Sequence, residues 1–324
     1  MASADGDPER LAAVLAGVRA YQTHPYRREV AAPPVVAEIG AVRLLDYGGT
    51  GRPVVFVPSL INPPTVLDLA ADNSLLRWLA GAGVRPMLVD WGPVGSEERL
   101  LDIDGYVAAR LLPLLAAIGE PVAVVGYCLG GTMALAAAMQ HSVTRLALIA
   151  TPWRFSRYGS DQQRAVASWW QGIEPMTKSL GAIPMDMVQP LFWGLDPKAA
   201  SQKFAAFGRM DPDSAGARAF VALEDWANDG PPLALPAAQQ CFGDFFERDL
   251  PGSGRWVVNG TPVVPSAIRV PIANFISTRD RIVPAAAAPE AGRAVQIAAG
   301  HVGMVVGSRA KVLLWEPLRE FLLG

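Results

Sequence analysis

Cysteine is scarce in this chain: there are two in 324 residues, Cys128 and Cys241. So few, so far apart, exclude a disulfide framework and a cysteine-based zinc site, and reduced thiols fit the cytosol. Charge is sparse too, at 18% Asp, Glu, Lys and Arg with a formal net of −2. That leaves no electrostatic footing for nucleic acid or for an acidic membrane surface. No window approaches the roughly 18 consecutive apolar residues of a membrane span. The opening MASADGDPERLAAVLAGV puts acids before its apolar run and has no basic n-region, which argues against a secretory signal. The expectation is a cytoplasmic protein with no transmembrane segment and no nucleic-acid partner. Histidine is the last scarcity. With three of them, the search for a catalytic base is confined to His24, His141 and His301.

Apolar material is plentiful, at 51% of the chain. It is enough to bury a large core, as one big α/β domain or as a core with an insertion. Short apolar runs bounded by turn residues occur at Pro53–Pro58, Val84–Asp90, Val122–Tyr127, Leu146–Ala150, Ile272–Ser277 and Ala294–Ala298. Such continuous runs mark strands buried on both faces. Between and after them Asn73–Ala82, Asp104–Ile118, Gly131–Gln140 and Ser308–Leu323 read as helices, with Asn73 and Ser308 as N-caps and Pro113 as a kink. This alternation predicts a mostly parallel sheet flanked by helices. The pattern breaks between Pro152 and Pro265, a stretch that holds most of the aromatics and reads as helical over Asp161–Gln171, Lys198–Phe207 and Ala217–Trp226. The expected organisation is an N-terminal helical/extended segment over 1–46, a core over 47–151 and 266–324, and a cap insertion over 152–265. Most cap aromatics are expected to form the cap's own core, and a minority to line a channel for an apolar substrate.

The chemistry centres on PVAVVGYCLGGTMALAAAM, a buried strand, a sharp turn and a small-residue helix. Gly126-Tyr127-Cys128-Leu129-Gly130 has the nucleophile-elbow pattern of the α/β-hydrolase fold, with sulfur in place of the usual serine oxygen. A thiolate is both a better nucleophile and a better leaving group than an alkoxide, which suits acyl transfer between sulfurs. Taken alone, Cys128 is equally a small buried residue in a turn. The base decides. His24 precedes the first clear core strand and His141 ends the helix after the elbow. His301 follows the strand AVQIAA and opens the loop Gly300-His301-Val302-Gly303-Met304, where this fold carries its base. Asp280 follows IANFIS in STRDRIVP and supplies the acid. The chain order Cys128, Asp280, His301 is the nucleophile, acid, base order of that fold. The oxyanion hole needs two backbone N–H groups, expected from Leu129 after the nucleophile and Leu60 in the loop after PVVFVP.

VPSLINPPTVLDLAADNSLLRWLAGAGVRPMLVDWG, GYCLGGTMAL, FVALEDWANDG, Asp-Arg-Ile-Val-Pro and Gly-His-Val-Gly-Met occur in that order, from about Tyr47 to Met304. Together they resemble the polyhydroxyalkanoate synthase family, in which cysteine replaces the serine of the lipase box. The resemblance implies a Cys-His-Asp acyltransferase that polymerises (R)-3-hydroxyacyl-CoA on a covalent thioester, here at Cys128, with His301 and Asp280 activating thiol and hydroxyl. It implies no cofactor, CoA thioester being the substrate. It also implies the growing polyester as a ligand, a homodimer, and a place in the cytoplasm or at polyester granules. The chain lacks the long N-terminal domain of single-subunit synthases and so resembles the shorter type that works with a second synthase subunit. Arg281 stands where many members have histidine, and no phosphate-binding loop for CoA is evident; Arg154, Arg157 and Arg209 are candidates. The same triad used with water would make a thioesterase or an intracellular polyester depolymerase. A granule scaffold without activity is the reading from another class, and the complete triad argues against it.

Overall fold

A computed structural model describes residues 8–324; positions 1–7 of the N-terminal segment lie outside the described residues. Eight strands make one sheet: β1 (Val35–Ile39), β2 (Val42–Asp46), β3 (Pro53–Val57), β4 (Arg85–Asp90), β5 (Val122–Tyr127), β6 (Val143–Ile149), β7 (Ile272–Ser277) and β8 (Arg293–Ile297). Their order is β1-β2-β4-β3-β5-β6-β7-β8. The pairs β1/β2 and β2/β4 are antiparallel, and from β4 onward every pair is parallel. β3 and β5 are buried along their whole length because successive residues feed two separate cores. Val55, Val57, Val122 and Val124 join one, and Val54, Phe56, Ala123 and Val125 join the other. That is why these strands read as unbroken apolar runs.

The β1/β2 hairpin at the sheet's edge was not among the strands expected from the sequence. β1 is largely exposed and lacks clean alternation, so its apolar pattern is weak. Its legible signal is the two-residue turn Gly40-Ala41, where Gly40 takes φ +61.

The helices of the core are α1 (Pro8–Gln22), α2 (Leu75–Gly81), α3 (103–117) and α4 (Leu129–Ala138). The N-cap of α2 is Ser74 rather than Asn73: the Ser74 hydroxyl accepts from Arg77 N–H at 3.0 Å, while Asn73 Nδ2 donates to Val306 O at 2.9 Å. Pro113 is absorbed inside α3 by a widened π turn over Val107–Leu111. Proline has no N–H for the carbonyl four residues back, and Arg110 Nη1 donates to that carbonyl, Ala109 O, at 3.2 Å.

Between β6 and β7 the chain leaves the sheet and forms α5 (Ser160–Leu180), α6 (Met185–Gly194), α7 (Pro197–Phe207), α8 (Ala215–Asn228) and α9 (235–247). After β8 a last helix, α10 (311–323), closes the chain. α1 lies across α7 so closely that a Cβ on Gly17 would sit 1.8 Å from Phe204 O. Around that crossing Tyr21, Phe207 and Phe220 build a third, small core, with Phe207 and Phe220 stacked at 4.3 Å. The chain after α1 is tied to the sheet's side of the molecule by Arg28, which meets Asp68 at 3.1 Å beside Arg77 at 2.8 Å. The N-terminal segment therefore straps the capping helices down.

Candidate active site

At the end of β5 the chain reverses into α4 through Cys128, whose φ of 54 is positive. A non-glycine residue held there costs about 1–3 kcal/mol and persists only when its surroundings fix it. The fixing contacts are visible. Cys128 N–H donates to Ile149 O at 2.9 Å, and Gly131 N–H donates to Cys128 O at 2.8 Å. The glycines make the turn possible by close approach. A Cβ on Gly126 would meet Gly131 Cα at 2.3 Å, and one on Gly130 would meet Val57 O at 2.1 Å. Gly130 thus presses the start of α4 against the loop after β3, which Trp91 Nε1 steadies by donating to Pro58 O at 3.1 Å. Leu129 begins α4, so its N–H has no acceptor within the helix.

His301 and Cys128 line one cavity. His301 Nδ1 bonds Asp280 Oδ2 at 2.6 Å, and the side chain of Asp280 is fully buried. The other carboxylate oxygen of Asp280 accepts from Ile282 N–H at 2.7 Å and Val283 N–H at 2.8 Å. This fixes the acid, and through it the ring. Burial alone would lower the pKa of His301, but the charges of Cys128 and Asp280, with hydrogen bonding, outweigh it and push it up to about 10. The imidazolium is the favoured state of His301. Above the ring, Tyr127 Oη donates to His301 O at 3.4 Å.

Each residue expected at the site has a definite place. Cys128, Leu129 and His301 line the cavity, and Asp280 sits directly behind His301. Leu60 is buried and its neighbours Ser59 and Ile61 line the cavity. His24 is elsewhere, with Nε2 against Pro212 O at 2.9 Å and Nδ1 accepting from Tyr26 N–H at 3.1 Å. His141 follows α4. Arg281 forms an ion pair with Asp196, the N-cap of α7, and so links the acid's loop to the cap. None of Arg154, Arg157 and Arg209 lines the cavity.

The cavity has a volume of about 830 Å³. Seven aromatics from the segment between β6 and β7 line it, among them Phe155, Tyr158, Phe242 and Phe246. Phe155 and Tyr158 come from the turn before α5, Phe192 and Trp193 from α6, Trp226 from α8, and Phe242 and Phe246 from α9. Sequence reasoning also missed Cys241, which lines the same cavity and whose thiol is pushed up to about 12 by burial and the nearby charge of Cys128. Its spacing from Cys128 carried no signal. An oriented base, a strained sulfur nucleophile and an apolar chamber are what covalent acyl chemistry needs.

A family model described as the alpha/beta hydrolase family matches residues 54–313. The poly(3-hydroxyalkanoate) polymerase subunit PhaC of Haloferax mediterranei is 25% identical over 313 residues, covering 89% of this chain and 63% of that protein. The subunit of the same name from Allochromatium vinosum is 26% identical over 281 residues, covering 80% of this chain and 77% of its own. The chain therefore spans less than two thirds of the length of the Haloferax relative. Among solved structures, BpoC of Mycobacterium tuberculosis H37Rv superposes with a TM-score of 0.55 at 18% identity, covering 91% of this chain and 98% of that one. That likeness bears on the fold alone.

Proposed function

The chain belongs to the alpha/beta hydrolase family, and we propose that within it this protein is an acyltransferase that polymerises (R)-3-hydroxyacyl-CoA through a thioester on Cys128. The observation that carries the reading is a cysteine elbow beside an acid-oriented histidine, opening into an apolar chamber of about 830 Å³. The relatives named above as poly(3-hydroxyalkanoate) polymerase subunits support the choice of substrate.

The Cys128 thiolate attacks the thioester carbonyl of the substrate. The N–H groups of Leu129 and Leu60 receive the oxyanion, each such donor being worth roughly 10²–10³-fold in rate. The tetrahedral adduct collapses, the C–S bond to CoA breaks, and His301 gives its proton to the departing thiolate. The acyl group is then held on sulfur. In the second step His301, oriented by Asp280, takes the proton of a 3-hydroxyl as its oxygen attacks the acyl carbon, and Cys128 leaves as thiolate. Excluding water from the chamber favours the alcohol over hydrolysis. A second synthase subunit, a homodimer and a location at polyester granules in the cytoplasm complete the proposal. Among the described residues no helix is long and apolar enough to cross a membrane.

The test follows purified protein with (R)-3-hydroxybutyryl-CoA, recording CoA release and product size together, beside Cys128→Ala. Polymer that forms with CoA release, and is lost in the variant, supports the proposal. Release that yields only free 3-hydroxybutyrate makes the protein a thioesterase or depolymerase built on the same residues. No release, with or without a second subunit, removes the enzymatic reading.

A further inference from the structure

Most polar groups around the chamber already have partners. Ser59 Oγ accepts from Ile61 N–H at 3.1 Å, and Asn62 Nδ2 donates to Ala227 O at 3.2 Å. Trp226 Nε1 donates to Pro63 O at 2.8 Å, and Lys203 Nζ is held by both oxygens of Glu224 at 2.6 and 2.7 Å. Tyr158 differs. It lines the chamber with 7% of its surface exposed, and among the described residues its hydroxyl has no hydrogen-bond partner. Nor is that oxygen one of the polar atoms sealed away without a partner, so it remains accessible.

Its ring is held on two sides. Phe155 stacks on it at 5.7 Å with planes 5° apart, and Phe246 meets it edge-on at 4.8 Å. The turn that carries it, Phe155–Tyr158, is pinned by Asp249, whose carboxylate accepts from Phe155 N–H at 2.9 Å and Ser156 N–H at 3.1 Å. Burial first, then the charges of Cys128, Asp280 and Cys241, raise the pKa of its phenol. It stays neutral and able to donate, and it lines the same chamber as Cys128. A rigid, neutral phenol with free capacity, in a mostly apolar chamber, is a device for reading one polar atom on an apolar chain.

We propose that Tyr158 is a specificity-determining residue whose hydroxyl hydrogen-bonds the 3-hydroxyl of the acyl group presented to Cys128. This rests on the acyltransferase reading above and deepens it. Acyl chains without that hydroxyl leave the buried phenol unpaired and are disfavoured.

The experiment compares (R)-3-hydroxybutyryl-CoA with butyryl-CoA in wild-type protein and in Tyr158→Phe, a change that removes only the oxygen. The first readout is the single-turnover release of CoA, which reports loading of Cys128 with either substrate. The ratio of the two kcat/KM values is expected to fall by about 10- to 100-fold in the variant. The second readout is binding of the same two thioesters by calorimetry in a Cys128→Ala background, with and without Tyr158→Phe. It is independent of chemistry, so a failed acyltransferase reading and a failed role for Tyr158 give different results. A hydroxyl preference that vanishes with Tyr158→Phe supports the assignment whether or not CoA is released. An unchanged preference, or none in the presence of Tyr158, overturns it.

Discussion

His301 keeps its proton to about pH 10 because the charge of Cys128, then that of Asp280, overcome the cost of burying a cation. Cys128 is the largest of the raising causes, so Cys128→Ala should bring the titration of His301, followed by NMR, clearly down from about 10. An unmoved midpoint would contradict that cause. The folded-state pKa lies above the ordinary 6.5 of histidine, so the stability this proton contributes is full below about pH 6.5 and is lost as pH rises through about 10. Asp280→Asn keeps an oxygen for the Ile282 and Val283 N–H groups but puts an amide NH2 in place of the oxygen that accepts from His301 Nδ1, and so releases the ring. The expected loss in kcat is roughly 10³–10⁴-fold, with little change in KM, measured as CoA release. At this scale the sequence was informative. Cys128, Asp280 and His301 each follow a strand in the order the fold requires, and the structure brings their side chains together. Tyr158 was not legible, because nothing in Phe-Ser-Arg-Tyr signals that its ring is clamped by Phe155 and Phe246 in the chamber that Cys128 also lines.

Strands and turns show where pattern is enough and where it is not. β3 and β5 face apolar neighbours on both sides, so their runs are unmistakable. β1 borders solvent and leaves Val35 and Val36 exposed, which erases the contrast that a period of two depends on. Pro113 was expected to kink its helix; instead a π turn and the Arg110 guanidinium absorb it, and neither can be read from propensity. The elbow glycines are a sharper case. Gly130→Ala would place a Cβ 2.1 Å from Val57 O, against backbone that cannot yield cheaply. Urea unfolding should show a loss of about 1–3 kcal/mol. Activity should fall as well, since the start of α4 and the loop after β3 would separate.

At the scale of the whole molecule, the chamber exists because five helices between β6 and β7 are held over the sheet by the strap that α1 forms. Gly17→Val would force α1 off Phe204. Limited proteolysis should then cut faster within 197–214, and KM should rise more than kcat falls; unchanged cleavage would show that the cap holds itself down. The sequence revealed that an aromatic-rich segment interrupts the α/β pattern but not which rings line the chamber with Cys128, since that depends on how α6, α8 and α9 pack against a sheet far away in the chain. The proposed chemistry passes through one covalent bond, from Cys128 Sγ to the acyl carbon. Intact-mass measurement after brief exposure to (R)-3-hydroxybutyryl-CoA should show wild-type protein heavier by the acyl group, on the peptide containing Cys128, with the addition removed by hydroxylamine and absent in Cys128→Ala. Acyl-CoA consumed with no adduct on that peptide, or an adduct that survives Cys128→Ala, would contradict it.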